Sequence, residues 1–410
     1  MSEPGTFKIS IDSLVYGGAG LGRHEGKVVF VPFSVPGDEL LVKPVEEKKK
    51  FTRAEIVRIL KPGPGRIAPL CSHFMKCGGC HWQQLEYFHQ VEAKRKILEE
   101  MLHHRFPETR ELSIPLKACP QPYGYRSRAR IQLRGTGDKS SVGFFRSGSH
   151  TVEDVERCPL LRPSLNEALG SVRQLQYKVD TSAGSHEIDI ACSEEEDSGA
   201  TVRVGSNVNE GGSDSTGTGK REEVLLHRSI GEFRYSVTAP VFFQANDFMV
   251  GELVSLVRTA AKDAGCNLAV DLFAGVGLFT LPLALQFKKV LAVESSPAAC
   301  RLCSANSSEA KLSNVHVSCS DVFKWMKSSG PRSDLDLILL DPPRSGAGTE
   351  VIRKLRELLP GTIIYVSCDP QTLCRDIAEL SPVYTIDLAE GLDMFPQTYH
   401  FETVVRLKRQ

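Results

Sequence analysis

The chain lacks a hydrophobic segment long enough to cross a membrane. A membrane-spanning helix needs about 20 consecutive apolar residues, and no stretch of the 410 residues approaches that length. The opening segment, MSEPGTFKIS, also lacks the apolar core of a secretory signal. We therefore expect a cytoplasmic protein without a membrane partner. Its 12 cysteines are then expected to be ligands, nucleophiles or buried side chains and not disulfides.

The chain also lacks a net charge, because 50 basic and 50 acidic side chains cancel. A zero total argues only weakly against a nucleic-acid partner, since local basic surfaces decide phosphate binding. Basic residues are dense between Lys48 and Arg66. Arginines also occupy the alternating positions Arg126, Arg128, Arg130 and Arg134, which share one face of a strand. An RNA-binding face and an ordinary solvated face are equally compatible with this pattern.

No internal repeat is visible, and the length exceeds that of one compact core, so we expect two or three domains. Residues 1–62 contain short alternating segments, such as 7–11 and 27–31, around the glycine-rich segment 17–22. This pattern predicts a small OB-like β-barrel. It resembles the TRAM domain, an RNA-binding module attached to RNA-modifying enzymes.

A second region, residues 63–240, follows a Pro-Gly linker and is predicted to be β-rich, with one helix near 84–102. Within it, the segment 193–223 has almost no large apolar residues. Such a segment cannot bury enough surface to offset the entropy lost on ordering. We expect it to be a flexible insert.

In the third region, residues 241–410, short apolar runs alternate with helical stretches, which is typical of a doubly wound parallel sheet. The runs lie at 268–273, 290–294, 315–317, 335–340 and 362–366. Two further runs, 383–388 and 401–407, leave no room for a crossover helix and should pair antiparallel. We therefore predict an α/β fold with a class I, Rossmann-like methyltransferase domain.

The glycine-rich loop after the first of these strands, Asp271 to Gly277, is suited to a nucleotide-like ligand. It lacks the third small residue of a dinucleotide-binding loop, because Thr280 stands at that position. This absence favours S-adenosylmethionine over a nicotinamide cofactor. Glu294 ends the second strand, where a carboxylate accepts hydrogen bonds from ribose hydroxyls, and Asp321 follows the third, towards the adenine.

Two polar motifs end the fourth and fifth strands, Asp341-Pro342-Pro343-Arg344 and Ser367-Cys368-Asp369-Pro370. Ligands of open α/β sheets bind at the carboxyl ends of strands, so both motifs should face the cofactor. The first lacks the aromatic residue with which amino-group methyltransferases stack the target base, since Arg344 is there. The second presents a cysteine instead.

A cysteine meets a specific chemical need at this position. Carbon 5 of uracil is too weak a nucleophile to attack a sulfonium methyl group, but addition of a thiolate to carbon 6 gives carbon 5 carbanion character. A base must afterwards remove the carbon 5 proton so that the thiolate can leave. Cys368 is the candidate nucleophile, Glu402 the candidate base, and His400 a rival base.

These motifs together resemble the RNA 5-methyluridine methyltransferases over residues 237–410. The matching segments are Phe243-Gln244-Ala245-Asn246, Asp271-Leu272-Phe273, Asp341-Pro342-Pro343-Arg344, Ser367-Cys368-Asp369-Pro370-Gln371-Thr372 and the residues Asp393, Phe395, Pro396, Thr398, His400 and Glu402. The resemblance implies Cys368 as nucleophile and Glu402 as proton acceptor. It implies that S-adenosylmethionine contacts Gln244, Phe273, Glu294, Asp321 and Asp341. The chain departs from the family at Ala274 and Leu278, where relatives often have Cys and Asn.

A separate group of cysteines, Cys71, Cys77 and Cys80, is completed to four by Cys158. Four thiolates are compatible with zinc or with an iron–sulfur cluster, and ligand counting does not separate the two. The group resembles that of the cluster-bearing members of the same family, which implies a four-iron, four-sulfur (4Fe-4S) cluster with a structural or RNA-docking role.

Barrel, cluster and catalytic region together look most like the bacterial 23S ribosomal RNA uridine methyltransferases. The resemblance implies a monomer that methylates a flipped-out uridine in 23S rRNA, with tRNA as the alternative substrate. Two other classes of function stay open at this point. One is an iron–sulfur oxidoreductase with a nicotinamide cofactor, and the other is an RNA-binding protein without catalysis.

Overall fold

The structure, a computed structural model, describes residues 5–135, 140–175, 186–193, 200–205, 224–328 and 334–410. Its strands are β1 (Phe7–Leu14), β2 (Ala19–His24), β3 (Lys27–Pro32), β4 (Glu39–Glu47), β5 (Phe51–Lys61), β6 (Leu116–Lys117), β7 (Arg128–Arg134), β8 (Ser141–Phe145), β9 (Val152–Asp154), β10 (His186–Cys192), β11 (Ala200–Gly205), β12 (Leu226–Ile230), β13 (Phe233–Val237), β14 (Leu268–Leu272), β15 (Lys289–Glu294), β16 (Val315–Cys319), β17 (Leu335–Leu340), β18 (Thr362–Ser367), β19 (Tyr384–Leu392) and β20 (Glu402–Arg409). Its α-helices are α1 (Tyr87–Arg105), α2 (Pro163–Leu175), α3 (Val250–Ala261), α4 (Thr280–Ala284), α5 (Pro297–Glu309), α6 (Val322–Lys327), α7 (Thr349–Leu358) and α8 (Pro370–Leu380), and a 3-10 helix covers Pro107–Glu111. None of the helices within these ranges combines the length and apolarity needed to span a bilayer.

Strands β1 to β5 close into a barrel in the order β1-β2-β3-β5-β4, as the alternating pattern predicts. Alternate residues of each strand point inwards, because successive side chains of a strand lie on opposite faces. The interior is filled by small branched side chains, namely Ile9, Ile11, Val29, Val31, Leu40 and Val42. The predicted OB-like barrel is thereby confirmed.

The glycine-rich segment 17–22 is a turn only at its start, because Ala19–His24 forms strand β2. Glycine is required at Gly20 and Gly22 because neighbouring atoms leave no room for a Cβ atom, and not because the chain turns there. A Cβ atom at Gly20 would lie 2.0 Å from the Ser34 hydroxyl, and one at Gly22 would lie 2.2 Å from the carbonyl oxygen of Ser10. A sequence pattern does not distinguish these two uses of glycine.

The central region forms a five-stranded sheet in the order β11-β10-β7-β8-β9, against which α2 packs. Strand β11 lies inside the segment 193–223, so the prediction of a flexible insert is wrong for residues 200–205. Their backbone pairs antiparallel with β10, from Glu187 opposite Gly205 to Cys192 opposite Ala200. Composition alone misses a strand whose stability comes from pairing with a neighbour. Residues 194–199 and 206–223 lie outside the described residues.

The alternating arginines of this sheet have internal partners. Arg128 donates hydrogen bonds to the carbonyl oxygens of Phe243, Thr238 and Ala239, at 2.7–3.3 Å. Arg130 pairs with Asp189 at 3.0 Å. Arg128 therefore fixes the segment before α3 to the central sheet, and this strand is not a free basic face.

The third region, residues 241–410, contributes most strands of an eight-stranded sheet in the order β16-β15-β14-β17-β18-β20-β19-β6. Strands β14 to β18 are parallel, and β20 pairs antiparallel with both β18 and β19. The predicted doubly wound sheet with an antiparallel end is confirmed. Its chain order reverses on the two sides of β14, which places the ligand-binding crevice at the carboxyl ends of these strands.

Elements from the centre of the chain complete the core of this sheet. Ile97, Leu98 and Leu102 of α1 share one buried apolar cluster with Tyr384 and Phe401. The hairpin β12–β13 packs, through Tyr235 and Val237, into the cluster on the other face of the sheet. Strand β6 extends the edge of the sheet beside β19. The three regions of sequence are therefore joined by continuous apolar packing.

Candidate active site

The carboxyl ends of β14, β15 and β17 form one polar edge of the sheet. Asp271 is fully buried in β14, and its Oδ2 accepts a hydrogen bond from the Thr280 hydroxyl at 2.5 Å. Phe273 follows in the left-handed region, with φ at 64°. Asp341 comes directly after β17, and its backbone N–H donates to the carbonyl of Leu272 at 3.4 Å. These predicted cofactor residues meet because their parallel strands end together.

Glu294, at the end of β15, joins the glycine loop to the start of α5. Its Oε2 accepts from the backbone N–H of Gly275 at 3.0 Å, and its Oε1 accepts from that of Ser296 at 2.7 Å. Each carboxylate oxygen has further lone pairs, so the side chain is fixed in place and still able to accept hydrogen bonds from ribose hydroxyls.

The remaining predicted contacts lie around this edge. Asp321 caps helix α6, and its Oδ1 accepts from the Lys324 backbone N–H at 2.9 Å. Gln244 is buried in the segment before α3 that Arg128 holds. Leu278, where relatives often have Asn, packs in the apolar core, while its carbonyl accepts from the Tyr235 hydroxyl at 3.0 Å.

Asp271, which is fully buried, and Asp341, which is partly buried, share one electrostatic environment at this edge. Burial raises the pKa of Asp271 to about 7. Burial and the charge of Asp271 raise the pKa of Asp341 to about 7 as well. A cationic ligand placed between two carboxyl groups of this kind favours their ionised forms. The edge is therefore electrostatically suited to a sulfonium.

Cys368 and Glu402 are brought together by antiparallel pairing. Strand β18 pairs with β20 from Thr362 opposite Lys408 to Ser367 opposite Thr403. Continuing this register by one residue sets Cys368 opposite Glu402. Directly opposed residues of an antiparallel pair have Cβ atoms about 5 Å apart, so the thiol and the carboxyl group adjoin.

The surroundings of Cys368 disfavour the thiolate form of its side chain. Burial raises its pKa to about 12, and the Glu402 carboxyl group adds to this effect. Arg344, whose side chain is exposed at the other polar motif, is the cation that lowers it. Arg344 therefore favours the thiolate form of Cys368, and burial opposes it.

Glu402 fits the role of base better than His400. Burial and the charge of Asp341 raise the pKa of Glu402 well above its usual value, and among the described residues its Oε2 has no hydrogen-bond partner. Burial, together with Arg344, lowers the pKa of His400 to about 3. A raised pKa makes the Glu402 carboxylate a stronger proton acceptor, whereas a lowered pKa makes the His400 ring a weaker one.

The loop that leads to Glu402 is anchored by helix α1. Lys94 donates to Asp393 Oδ1 at 2.7 Å, with both side chains fully buried. Gln90 and Gln397 exchange two hydrogen bonds of 3.0 Å. Gln397 also accepts, at its carbonyl oxygen, from the backbone N–H of Trp82 at 3.1 Å. Helix α1, which lies outside residues 237–410, therefore sets the position of the candidate base Glu402.

We expect Lys94→Met to lower the free energy of unfolding by about 3–5 kcal/mol, because it leaves Asp393 buried without its partner. Burial lowers the pKa of Lys94 and Asp393 opposes that effect, so the ammonium group depends on this carboxylate. Urea unfolding followed by circular dichroism measures the change. Lys96→Met, at an exposed position of the same helix, is the matched control. A loss below about 1 kcal/mol in Lys94→Met, typical of an exposed pair, would contradict the prediction.

The four predicted ligand cysteines line one small cavity, together with Arg126. Gly79 N–H donates to the sulfur of Cys77 at 3.4 Å, and the Gln83 side-chain amide donates to the sulfur of Cys80 at 3.2 Å. The Arg126 Nε is buried and has no hydrogen-bond partner within the described ranges. Over those same residues, no group of three or more Cys, His, Asp or Glu side chains is arranged to hold a metal ion.

Burial governs the ionisation of these thiols. It raises the pKa of Cys77 to about 11 and that of Cys80 to about 12, and the neighbouring cysteines add to both effects. Hydrogen-bond donors directed at sulfur and an unpaired guanidinium nitrogen suit an anionic group bound by thiolates. In donor type these side chains therefore suit such a group, although the cysteines are not arranged in metal-binding geometry among the described residues.

Sequence reasoning missed residues that reach the active site from other parts of the chain. Tyr16 of the barrel lies beside Asp369. The rings of Tyr16 and His81 lie 5.2 Å and 4.6 Å from the ring of Tyr399. No local pattern marks these side chains, because their role depends on how distant segments pack.

Two family models match the chain. One, described as tRNA (Uracil-5-)-methyltransferase, covers residues 222–410, and the other, the TRAM domain, covers residues 5–57. The chain is 31% identical to the 23S rRNA (uracil(1939)-C(5))-methyltransferase of Alkalilimnicola ehrlichii, with 98% of this chain and 97% of that protein covered. It is 30% identical to an uncharacterized RNA methyltransferase of Thermosynechococcus vestitus, with 98% of both chains covered.

Among solved structures, the tRNA (uracil-54, C5)-methyltransferase of Pyrococcus abyssi, in complex with S-adenosyl-L-homocysteine, has the same fold. The two superpose with a TM-score of 0.74 at 24% identity, and the match covers 97% of this chain and 100% of the other. Full-length similarity to named RNA methyltransferases, with both family models in the expected places, establishes the relationship. The chain belongs to the RNA (uracil-5-)methyltransferase family and carries a TRAM domain at its N-terminal end.

Proposed function

We propose that this protein transfers a methyl group from S-adenosylmethionine to carbon 5 of a uridine in 23S rRNA, with Cys368 as nucleophile and Glu402 as base. The observation that carries this proposal is the antiparallel pairing of β18 with β20, which ends at Ser367 opposite Thr403, so that Cys368 and Glu402 follow as the next residues and their side chains interact. Uracil C5 methylation needs a thiolate and a proton acceptor on one side of the same pocket, and this pair supplies both.

In the proposed reaction, the Cys368 sulfur bonds to carbon 6 of the target uracil, and the electron pair of the 5,6 double bond moves into an enolate. S-adenosylmethionine supplies an electrophilic methyl group at the edge formed by Asp271, Glu294 and Asp341. As carbon 5 takes the methyl group, the bond from that group to the sulfonium sulfur breaks and S-adenosylhomocysteine is left. Glu402 then accepts the carbon 5 proton. The released electron pair restores the double bond and expels the Cys368 thiolate.

The proposed positioning of the donor rests on the polar edge described above. The glycine loop and Glu294 are suited to the ribose, and Asp321 to the adenine side. Gln244, Phe273 and Asp341 surround the place proposed for the sulfonium. The target base must leave its stack to reach a thiol at this depth.

Ribosomal RNA is the preferred substrate because the relative from Alkalilimnicola ehrlichii, which matches this chain over nearly its whole length, is named for 23S rRNA. A tRNA substrate is the second candidate, favoured by the description of the family model and by the Pyrococcus abyssi structure.

An RNA-binding role without catalysis is disfavoured by Glu402. A buried carboxyl oxygen without a partner among the described residues costs stability, and a role in the chemistry accounts for retaining it.

Methyl incorporation tests the proposal. The purified protein is incubated with tritium-methyl S-adenosylmethionine and either unmodified 23S rRNA or bulk tRNA, and the RNA is digested to nucleosides. We expect label in 5-methyluridine from 23S rRNA. Label in 5-methyluridine from tRNA alone would overturn the substrate assignment and keep the reaction. Label in another nucleoside, or none with folded protein, would overturn the reaction itself.

We also propose that Cys71, Cys77, Cys80 and Cys158 hold a 4Fe-4S cluster with a structural role. The support is that all four thiols line one cavity beside the unpaired Nε of Arg126. The cluster supplies no step of the methyl transfer, which involves no net electron transfer. Its segment continues into Trp82, which hydrogen-bonds the loop before Glu402.

We expect protein purified without oxygen to contain about four iron and four acid-labile sulfide per chain. Cys80→Ser should lose most of both, whereas Cys319→Ser, at an exposed position outside the cavity, should keep them. Colorimetric iron and sulfide determinations on the same samples give the result. Stoichiometric zinc without sulfide, or iron retained in full by Cys80→Ser, would contradict the proposal.

A further inference from the structure

The turn between β1 and β2 of the barrel reaches the active site. It is closed by hydrogen bonds from Val15 N–H to the Ala19 carbonyl and from Gly18 N–H to the Val15 carbonyl, each 3.0 Å long. The indole N–H of Trp82 donates to the Gly18 carbonyl at 3.0 Å. The turn is therefore held both by itself and by the segment that precedes α1.

Gly18 permits this close approach. Its φ is +89°, and a Cβ atom there would lie 2.9 Å from Cδ1 of Tyr399 and 3.2 Å from Cβ of His81. A larger residue would be strained in its backbone and would push the turn away. Because Tyr399 belongs to the loop that leads to Glu402, the barrel turn packs directly on the catalytic loop.

Tyr16, in this turn, points into the same region. Its ring packs edge-on against Tyr399 at 5.2 Å and Phe401 at 6.3 Å between centroids. Its hydroxyl lies beside the Asp369 carboxylate and close enough to Cys368 to interact with its charge. The hydroxyl is buried, and its approach to the Asp369 carboxylate lacks the geometry of a regular hydrogen bond.

A buried hydroxyl without a partner costs about 1–3 kcal/mol relative to a bonded one. Buried tyrosine hydroxyls usually find a partner. The ring of Tyr16 is held against Tyr399 and Phe401, in the segment that leads to Glu402. A partner supplied by the substrate accounts for both its placement and its lack of a bond.

We propose that Tyr16 is a substrate-binding residue, whose hydroxyl donates a hydrogen bond to an oxygen of the flipped-out pyrimidine nucleotide in front of Cys368. This inference rests on the proposed function. It makes the barrel part of the active site as well as a domain for gripping RNA. Since addition of Cys368 to carbon 6 shifts negative charge onto a base oxygen, a donor placed there favours the reaction and not only binding.

Tyr16→Phe removes the hydroxyl alone and tests the inference. We expect the single-turnover rate of methyl transfer to fall about 10-fold to 100-fold, while the Kd for S-adenosylmethionine stays at the wild-type value. We expect an unchanged Tm, because the lost hydroxyl has no regular partner in the free protein. The matched control is Tyr384→Phe, which removes a hydroxyl bonded to the Pro360 carbonyl at 2.9 Å. That control should lower the Tm and keep the rate.

Alkylation of Cys368 by iodoacetamide without RNA separates direct contact from an effect through Asp369. We expect Tyr16→Phe and wild type to share one pH profile. A shifted profile, a wild-type methylation rate, or a rate loss that accompanies a lowered Tm would each overturn the inference. The proposed function has its own test, which does not involve Tyr16. It is refuted if the Cys368→Ala variant still methylates uridine. A wild-type rate in Tyr16→Phe with an inactive Cys368→Ala refutes the Tyr16 assignment alone.

Discussion

Cys368→Ala is expected to abolish methyl transfer to uridine, with a loss of at least about 10⁴-fold in single-turnover rate. Groups that act as one catalytic unit show losses of this size when the nucleophile is removed. Without the sulfur no bond forms at carbon 6, so carbon 5 never gains carbanion character. Transfer of tritium from labelled S-adenosylmethionine to 5-methyluridine is the measurement.

Cys266→Ala is the control for this variant. Cys266 is exposed and lies before β14, at the opposite end of the strand from Asp271 and the glycine loop. Its replacement should leave the rate at the wild-type value. Cys368→Ala should also keep the wild-type Kd for S-adenosylmethionine, which shows that the protein is folded. Residual methylation above about one per cent of wild type would exclude Cys368 as the nucleophile.

Glu402→Gln is expected to stop the reaction after methyl transfer and to leave RNA covalently bound to the protein. Glutamine has nearly the same shape as glutamate but accepts no proton, so the thiolate is not expelled. Loss of a general base reduces turnover by about 10²-fold to 10⁴-fold. A protein–RNA complex that survives denaturing electrophoresis and carries the tritium label is the expected product.

Two further variants identify the trapped species. Cys368→Ala combined with Glu402→Gln should form no adduct, which assigns the bond to Cys368. His400→Gln alone should not accumulate adduct, because the pKa of His400 is lowered to about 3 and the ring is a weak base. Adduct in His400→Gln and none in Glu402→Gln would transfer the role of base to His400.

The pH dependence of stability gives a check on folding for the same variant. Burial and the charge of Asp341 raise the pKa of Glu402 well above 4.5, its usual value, so its contribution to stability is fully present below about pH 4.5. That contribution is lost as the pH rises through the raised pKa, where the unfolded chain holds fewer protons than the folded one. Glutamine is never ionised, so Glu402→Gln should be at least as stable as wild type at alkaline pH. Loss of activity in this variant is therefore not a loss of fold.

Local patterns determine much of this fold. The alternation around Ile9 and Ile11 predicts the inward face of a barrel strand, and burial of both residues confirms it. The apolar runs at 268–273 and 335–340 predict buried parallel strands, and β14 and β17 occupy them. Periodicity reports which side chains face a core, because strands and helices place their residues at fixed repeats.

Local patterns fail where a neighbour decides the structure. Residues 200–205 lie in a segment, 193–223, whose overall composition is that of a loop, but they form a strand beside β10. Arg128 fits a basic RNA-binding face, but it is turned inwards by three carbonyl acceptors. In both cases the partner comes from a segment that the pattern does not include, and pairing energy overrides composition.

The sequence by itself determined the fold class, the family and the candidate residues Cys368 and Glu402, because each rests on residue types at short spacings. Only the tertiary structure decided that strand β20 lies beside β18, which sets these two side chains opposite each other. It also decided that Lys94 fixes the catalytic loop and that Tyr16 of the barrel reaches Asp369. The physical reason is that strand order and domain packing are set by the burial of whole apolar faces, which no short stretch of sequence specifies.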